Sequence, residues 1–253
     1  MAPKITLQLY TLREALAADL PGTLQKIRDI GFSNVEPAGF FNLTVAQYKE
    51  SLNRYDLKAP SAHLELPVGD RTNEIIETAQ ELGTKYLVTG IPPNRDEAYN
   101  SLDHVKAMAA LYQEAAENAA KHGLFVGFHN HDFDLQEVEG TRAYKVFLEN
   151  TPDTVLWEID VYWVARAGID PVEFIREIGN RGRLLHLKDG NAKDMSVGPT
   201  FLPCGEGDVD LVAAANAAEH AELAAVELDY YSGDMLEAVE KSYQYLTLKG
   251  LAQ

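Results

Sequence analysis

The feature that most constrains this chain is a series of short apolar runs, each of which stops at polar residues. The stops come about 26 to 41 residues apart, which is the length of one strand and one helix. Polar groups gathered at the carboxyl ends of strands are how a (β/α)8 barrel builds an active site. The pattern therefore predicts a fold and a site together. The stops lie at Gln8, Glu36, His63, Gly90, His129, Asp160, His186 and Glu227.

The segments between these stops alternate as strands and helices do around a parallel sheet. Strands are predicted at residues 5–9, 35–37, 58–64, 86–89, 124–128, 155–159, 184–187 and 223–228. Helices are predicted at residues 21–30, 45–55, 74–82, 102–122, 143–149, 171–178, 211–219 and 235–248. A chain of 253 residues has the usual length of one such barrel. We therefore predict the α/β class and a single (β/α)8 TIM barrel over residues 1–253.

Composition narrows the range of partners. A formal net charge of −17 argues against nucleic acid and against an anionic membrane surface, because both attract basic proteins. The single cysteine, Cys204, excludes an intramolecular disulfide and fits a reducing compartment. The first residues contain no long apolar segment, and no run of 18 apolar residues occurs. We expect a cytoplasmic protein with a small-molecule substrate, and a homo-oligomer remains open.

One connection is much longer than the others. About twenty residues separate Asp189 from Asp208, and they contain several glycines and two prolines. Because the segment follows the seventh strand, we interpret it as a mobile lid over the substrate, with a packed excursion as the alternative. Residues 205–208 are predicted to form a turn and the N-cap of the next helix, and not a phosphate-binding loop.

The polar residues at the strand ends are ambiguous singly and informative together. His63 alone could be a core histidine, and Glu36 alone could hold a neighbouring loop. Four carboxylates and three histidines at one barrel mouth, however, would repel each other or take up protons unless a cation lay among them. Imidazole and carboxylate ligands suit manganese, zinc, cobalt or iron better than calcium. We therefore predict one divalent metal ion.

Four motifs resemble those of the xylose isomerase-like barrel superfamily. They are Phe-His-Asn-His-Asp-Phe at residues 128–133, Asp-x-Tyr-Trp from Asp160, His-Leu-Lys-Asp from His186 and Val-Glu-x-Asp around Glu227. The first is similar to the sugar phosphate isomerase/epimerase group. The superfamily includes ketose 3-epimerases, hydroxypyruvate isomerase, inosose dehydratase and AP endonucleases of the endonuclease IV type. The resemblance covers essentially the whole chain.

The resemblance implies a metal site made of His129, Asp160, His186 and Glu227. His129 departs from the family pattern, because the epimerases carry a glutamate there that often doubles as a catalytic base. Trp163 also departs, since it stands where the epimerases usually carry a histidine; we interpret it as an apolar face for a sugar ring. The missing histidine and the negative charge argue against endonuclease IV activity. Manganese, zinc or cobalt is the expected ion.

The remaining residues receive catalytic or substrate-binding roles as predictions. Lys188 either forms a structural salt bridge or binds a substrate hydroxyl and steadies an enediolate. His131, two residues beyond His129, is a fifth ligand, a proton shuttle or a substrate contact. Glu227 is both ligand and base. The substrate-binding candidates are Glu36, His63, Asn130, Trp163, Asp189 and Asp229.

The expected activity is that of a metal-dependent isomerase or epimerase that acts on a sugar or keto-sugar through an enediolate. Glu227 would remove the proton, and His131 or Lys188 would return it. The substrate is expected to carry no phosphate, because Lys188 and Arg13 are the only plausible cations at the strand ends. Two alternatives stay open. One is a lyase that dehydrates a keto-cyclitol or cleaves a 3-keto-glycoside by elimination, and the other is a non-catalytic sugar-binding or partner subunit.

Overall fold

The computed structural model describes residues 2–251, and eight parallel strands form its central sheet. The strands are β1 (Lys4–Gln8), β2 (Val35–Glu36), β3 (Ser61–His63), β4 (Tyr86–Thr89), β5 (Phe125–His129), β6 (Val155–Asp160), β7 (Gly182–His186) and β8 (Leu223–Val226). In space they follow the order β2-β1-β8-β7-β6-β5-β4-β3, so β1 pairs with β8, and neighbours in the chain pair with one another except for β2 and β3. The predicted (β/α)8 barrel is therefore confirmed.

The barrel closes between its two shortest strands, β2 and β3. A parallel bridge pairs Asn34 with Lys58, just before the two strands begin. At the other end, the His63 N–H donates to the Pro37 carbonyl at 2.8 Å. The predicted strands at residues 35–37 and 58–64 are shortened because so few ladder bonds join this pair. The carboxyl ends of all eight strands nevertheless meet at one mouth.

One main helix follows each strand, near the position that the sequence pattern predicts. Polar residues cap most of them; at the start of the helix Val45–Arg54, Thr44 and Gln47 bond each other's backbone N–H groups in a capping box. The described residues also form three short α-helices that the pattern did not predict, Arg13–Ala18, Arg95–Ala98 and Val161–Arg166. The main helices are α1 (Leu20–Ile30), α2 (Val45–Arg54), α3 (Thr72–Leu82), α4 (Leu102–Ala120), α5 (Ala143–Glu149), α6 (Pro171–Ile178), α7 (Leu211–Ala217) and α8 (Met235–Leu248).

The barrel interior changes from apolar to polar along the strands. Near the amino ends, Tyr86, Val88, Leu156, Leu184 and Leu223 form a separate apolar cluster. Because side chains alternate along a strand, the inward positions that follow Leu156 on β6 are Glu158 and Asp160. The outer faces of the strands pack against the helices in one large apolar core. The polar half of the interior thus lies at the mouth.

The long connection after β7 is anchored to the barrel. It begins with a two-residue strand, Asp189–Gly190, which pairs with Phe201–Leu202. Arg166 donates to the carbonyls of Asp194 at 2.7 Å and Val197 at 2.5 Å, and so grips the tip of the connection. Opening of this segment as a lid stays a prediction.

The predicted N-cap at the end of this connection is wrong by two residues. Asp210 caps α7 by accepting from the Ala213 N–H at 2.9 Å. Asp208 instead accepts from the N–H groups of Ala192 at 3.0 Å and Lys193 at 3.2 Å. Its carboxylate therefore ties the two ends of the connection together and is not available to the helix.

Candidate metal centre and active site

Three histidines and a glutamate meet in the polar half of the barrel. We call His63, His129, Glu158 and His186 the imidazole cluster; they come from β3, β5, β6 and β7. Their donor atoms all lie within 4.8 Å of one another. Glu158 is central, because its Oε2 lies 2.8 Å from His63 Nε2, 3.0 Å from His129 Nδ1 and 3.0 Å from His186 Nε2.

Glu36 adds a second carboxylate to the imidazole cluster. Its Oε1 lies 3.0 Å from His186 Nε2 and 3.2 Å from His63 Nε2, and it accepts from Gln8 Nε2 at 2.7 Å. Glu36 and His63 are predicted substrate contacts; in the structure His63 is part of the imidazole cluster and Glu36 lies against it. Glu36 is only 1% exposed, so its contacts with these two histidines are shielded from solvent.

Glu158 was not among the predicted site residues. The signal was available, because it precedes Asp160 by two positions on β6 and therefore faces the same interior. Its spacing of two residues from Asp160, a predicted ligand on the same strand, would have identified it.

A lysine holds together a second group of acidic side chains. We call Asp160, Lys188, Glu227 and Asp229 the lysine cluster. The Lys188 Nζ lies 2.7 Å from Glu227 Oε2, 3.1 Å from Asp160 Oδ2 and 3.1 Å from Asp229 Oδ2. Lys188 is fully buried. Its ammonium therefore neutralises carboxylates from β6 and from the end of β8.

Within the imidazole cluster, His129 and His186 border the lysine cluster, and each presents one ring nitrogen to Glu158 and the other to a carboxylate of the lysine cluster. His186 Nδ1 is 2.8 Å from Glu227 Oε2, whereas its Nε2 faces Glu158. His129 Nε2 is 3.9 Å from Asp160 Oδ2, whereas its Nδ1 faces Glu158. The ligand set expected from the resemblance, namely His129, Asp160, His186 and Glu227, therefore has donor atoms within 4.8 Å of one another.

This set fits a divalent ion by its chemistry. Two imidazole nitrogens and two carboxylate oxygens are a donor set that zinc, manganese and cobalt accept. Asp160 Oδ2 is buried and accepts no hydrogen bond of acceptable angle from the residues described, although the Lys188 ammonium lies 3.1 Å away. A buried carboxylate oxygen in that condition favours a further cation. The donor atoms of His129, Asp160, His186 and Glu227 could therefore hold a divalent metal ion.

Opposing effects of burial and charge set the protonation of the imidazole cluster. Burial lowers the pKa of His63, but the carboxylates of Glu36 and Glu158 raise it to about 10. Burial also acts against protonation of His186, but Glu158 and Glu227 raise its pKa well above the usual value. For His129 burial wins and holds its pKa well below the usual value. Two charged histidines and one neutral histidine thus surround the carboxylates when no metal is bound.

The lysine cluster contains ionised groups. Burial raises the pKa of Glu227, but Lys188 and His186 more than offset this and hold it well below its usual value. Burial lowers the pKa of Lys188, and the charges of Asp160, Glu227 and Asp229 raise it above its usual value. For Asp160 burial dominates, so its pKa is raised in spite of Lys188. Glu227 is therefore an ionised carboxylate at neutral pH.

His131 lies at the rim of the site. The centroid of its ring is 4.9 Å from that of His129. The ring stacks on that of Phe133, with 5.0 Å between the centroids. Its Nδ1 is 3.6 Å from Asp134 Oδ2. Among the residues that the structure describes, His131 belongs to neither group of donor atoms that could hold an ion. This position suits a proton shuttle or a substrate contact better than a ligand.

Two predicted substrate contacts bind backbone instead. Asn130 donates to the Asp160 carbonyl at 3.2 Å and accepts from the Asp160 N–H at 3.1 Å, so it joins β5 to β6. The Asp189 carboxylate accepts from the N–H groups of Gly205 at 2.8 Å and Gly207 at 3.0 Å. Its other oxygen accepts from Gly190 and Val209. Both side chains therefore bond to the backbone around the site, and their roles as substrate contacts stay predictions.

An aromatic wall lines one side of the mouth. The ring of Trp163 lies 5.7 Å from that of His131 and 5.7 Å from that of Phe201. Tyr230 packs edge-on against Phe201 at 5.0 Å and is half exposed. The Lys188 Nζ is 5.5 Å from the centre of the Trp163 ring. Phe201 and Tyr230 were missed because their sequence contexts lie in loops without periodicity.

The sequence profile of the xylose isomerase-like TIM barrel family matches residues 24–246, and the chain belongs to this family. No curated protein sequence matches the chain. Within residues 2–251, none of the helices combines the length and the apolar character that crossing a bilayer requires.

Solved structures with the same fold cover nearly the whole chain. A sugar phosphate isomerase/epimerase from Parabacteroides distasonis has a TM-score of 0.82 at 24% identity, over 100% of this chain and 96% of that one. D-allulose 3-epimerase from Methylomonas sp. has a TM-score of 0.70 at 16% identity, over 98% of each chain. The probable 3-DHS dehydratase AsbF from Bacillus anthracis has a TM-score of 0.72 at 15% identity, over 96% and 98%. At these identities the likeness shows the fold.

Proposed function

We propose that the protein is a metal-dependent isomerase or epimerase that acts on an unphosphorylated sugar or keto-sugar. The observation that carries this proposal is the buried group of donor atoms from His129, Asp160, His186 and Glu227 at the barrel mouth. Membership of the xylose isomerase-like family supports it, and so does the likeness to a D-allulose 3-epimerase.

In this proposal Glu227 has two roles. It helps to hold the ion, and its ionised carboxylate accepts the proton from the carbon beside the substrate carbonyl. A divalent ion bound here supplies Lewis-acid polarisation of a carbonyl oxygen. Lys188, 2.7 Å from Glu227, balances the negative charge that develops on the enediolate. His131 returns a proton from the rim.

The hydrogen bonds and ion pairs of the cations near the mouth support a substrate without a phosphate group. Lys188 faces three carboxylates. Arg13 donates to the Tyr10 carbonyl at 2.8 Å, and Arg166 donates to loop carbonyls. Arg71 pairs with two glutamates. A phosphate group needs arginine or lysine side chains with free donors, so an uncharged substrate fits this mouth better.

The test is proton exchange at carbon. Metal-loaded protein is incubated in deuterated water with a panel of keto-hexoses and keto-hexopyranosides, and deuterium incorporation is followed by NMR. Replacement Glu227→Gln keeps an oxygen beside the ion and removes the base, so exchange should fall by about 10²–10⁴. Glu237→Gln on the exposed face of α8 is the matched control. Exchange at the wild-type rate in metal-loaded Glu227→Gln would transfer the role of base to His131.

Elimination is the second candidate, and one observation favours it. His129 stands on β5 where a two-base epimerisation wants a second carboxylate, whereas an ionised glutamate and an ammonium lie 2.7 Å apart in Glu227 and Lys188. One base and one acid are what the loss of a β-hydroxyl or a glycosyl group requires. An ultraviolet-absorbing unsaturated ketone in the same incubation would identify a lyase. Sugar binding without any C–H exchange would identify a non-catalytic binding subunit.

A further inference from the structure

A cavity adjoins the imidazole cluster on the side away from the aromatic wall. It has a volume of about 550 Å³ and lies between the carboxyl ends of β2, β3 and β4 and helix α3. We call it the β3 pocket and define it by Phe40, His63, Leu64, Arg71, Ile75 and Thr78. A volume of this size lies in the range of small-molecule sites.

His63 joins the β3 pocket to the imidazole cluster. Its side chain is 16% exposed, whereas those of His129 and His186 are 2% and 0% exposed. Gly90 makes room for the ring, because a Cβ there would lie 2.7 Å from His63 Nδ1. A ligand in the pocket would therefore contact the one face of the cluster that is open to it.

The charges around the pocket disfavour an anion. Arg71 donates to Glu74 Oε1 at 2.9 Å and Oε2 at 3.1 Å through two different nitrogens, and it also pairs with Glu65. Two carboxylates thus face one guanidinium, and the local charge is negative. An uncharged ligand avoids this repulsion, and the carboxylate oxygens of such a pair can still accept hydrogen bonds from hydroxyl groups.

The apolar part of the pocket is held in place by its loop. Phe40 packs edge-on against Tyr48 at 5.5 Å, and Phe41 packs on the same ring at 6.2 Å. Phe41 and Asn42 have φ values of 50° and 62°, a left-handed conformation that is costly for a bulky residue. The packing on Tyr48 maintains this turn. Phe40 is thereby presented to the pocket beside Ile75.

We propose that the β3 pocket is a binding subsite for a second, uncharged sugar ring, so that the substrate is a keto-glycoside or keto-disaccharide. A sugar ring has apolar C–H faces, which Phe40 and Ile75 match, and hydroxyl groups, which Thr78 and Glu74 match. The reacting ring lies at the metal centre, and the second ring lies beyond His63. This inference rests on the proposed function for the identity of the reacting ring.

The first experiment fills the pocket. Thr78→Trp places an indole among its lining residues, and Glu14→Trp does the same in a separate cavity of about 340 Å³ near Tyr230 as the matched control. The ratio of kcat/KM for 3-ketosucrose and 3-ketomaltose over that for 3-ketoglucose is measured in each protein. Thr78→Trp should lower the ratio at least about tenfold, whereas Glu14→Trp should not. Equal ratios in the wild type and Thr78→Trp would overturn the subsite.

The second experiment does not need turnover. Calorimetry measures the binding of maltose, cellobiose, lactose, sucrose and glucose to the metal-loaded protein. At least one disaccharide should bind about tenfold more tightly than glucose, and Phe40→Ala, which removes one wall without filling the pocket, should cancel the advantage. If no disaccharide binds better than glucose, the proposal is wrong. Disaccharide binding without C–H exchange in any keto-sugar would instead retain the subsite and reject the proposed reaction.

Discussion

The imidazole cluster and the lysine cluster lie side by side, yet different cations compensate their carboxylates. In the first, Glu36 and Glu158 face imidazoles, which can bind a metal ion once they have lost the extra proton. In the second, Asp160 and Glu227 face the ammonium of Lys188, whose pKa is raised and which cannot become a ligand while charged. Binding of a divalent ion therefore requires the loss of protons in the imidazole cluster and the displacement of an ammonium in the lysine cluster.

Because of this difference, the position of Lys188 determines which of the two sets of donor atoms can bind an ion. The proposed ligand set takes Asp160 and Glu227 from the lysine cluster, so an ion there has to displace the ammonium from both. Asp229, which is 26% exposed and already contacts Lys188, is the partner that remains for it. An ion among His63, His129, Glu158 and His186 would leave Lys188 where it is. Variants at both clusters and at Gly90 separate these two arrangements.

The largest effect is expected from removing the ammonium. Lys188→Met leaves three carboxylates facing each other in a buried site, and breaking a buried pair in this way costs about 3–5 kcal/mol. Urea unfolding in the presence of EDTA measures the loss. Lys241→Met, which removes an exposed lysine that pairs with Glu237, is the control and should change little. Manganese should raise the free energy of unfolding of Lys188→Met more than that of the wild type. Equal free energies of unfolding for the metal-free wild type and metal-free Lys188→Met would contradict this prediction.

The next effect compares one carboxylate from each cluster. Asp160→Asn should weaken manganese binding by more than about 100-fold, because Asp160 is a proposed ligand. Glu158→Gln should weaken it by about 10–100-fold, the usual cost of losing a group that orients ligands. His186→Ala is the reference, since either arrangement needs His186. Titration followed by electron paramagnetic resonance gives the affinities, and the reverse order for Asp160 and Glu158 would place the ion in the imidazole cluster.

A smaller effect is expected from displacing His63 without changing it. Gly90→Ala puts a Cβ 2.7 Å from His63 Nδ1, and such overpacking costs about 1–3 kcal/mol. Gly198→Ala is the matched control, because a Cβ there meets nothing within 4 Å. The proposed ligand set omits His63, so manganese affinity should stay near that of the control. A strong loss of affinity in Gly90→Ala would indicate that His63 is a ligand.

The smallest effect on stability is expected at Asp229. Asp229→Asn removes one charge from a partly exposed pair, which contributes about 1 kcal/mol or less. Manganese affinity should nevertheless fall about tenfold, because Lys188 then lacks a carboxylate to move to when the ion binds. Ser232→Asn on the neighbouring exposed loop is the control. Unchanged affinity in Asp229→Asn would show that Lys188 does not need to move.

Much of the fold could be predicted because it depends on local periodicity. The eight apolar runs and the helical patterns between them gave the barrel, and strand bounds shifted mainly where β2 and β3 make few ladder bonds. The residues expected to hold the ion, for example Asp160 and His186, lie together because the carboxyl ends of parallel strands share one mouth. Short motifs, each at the end of one strand, were therefore sufficient to predict that these residues lie together.

What only the tertiary structure decided is the direction of each side chain and its partner. Asn130 and Asp189 stand in the same motifs as the candidate ligands, yet they bond to backbone groups, because buried N–H and carbonyl groups need hydrogen-bond partners. Glu158 joins the histidines only through the register of β6 against its neighbours. The sequence alone determined that acidic and imidazole groups would meet at one mouth. Burial and strand register determined which cation compensates each carboxylate, since both depend on contacts between residues far apart in the chain.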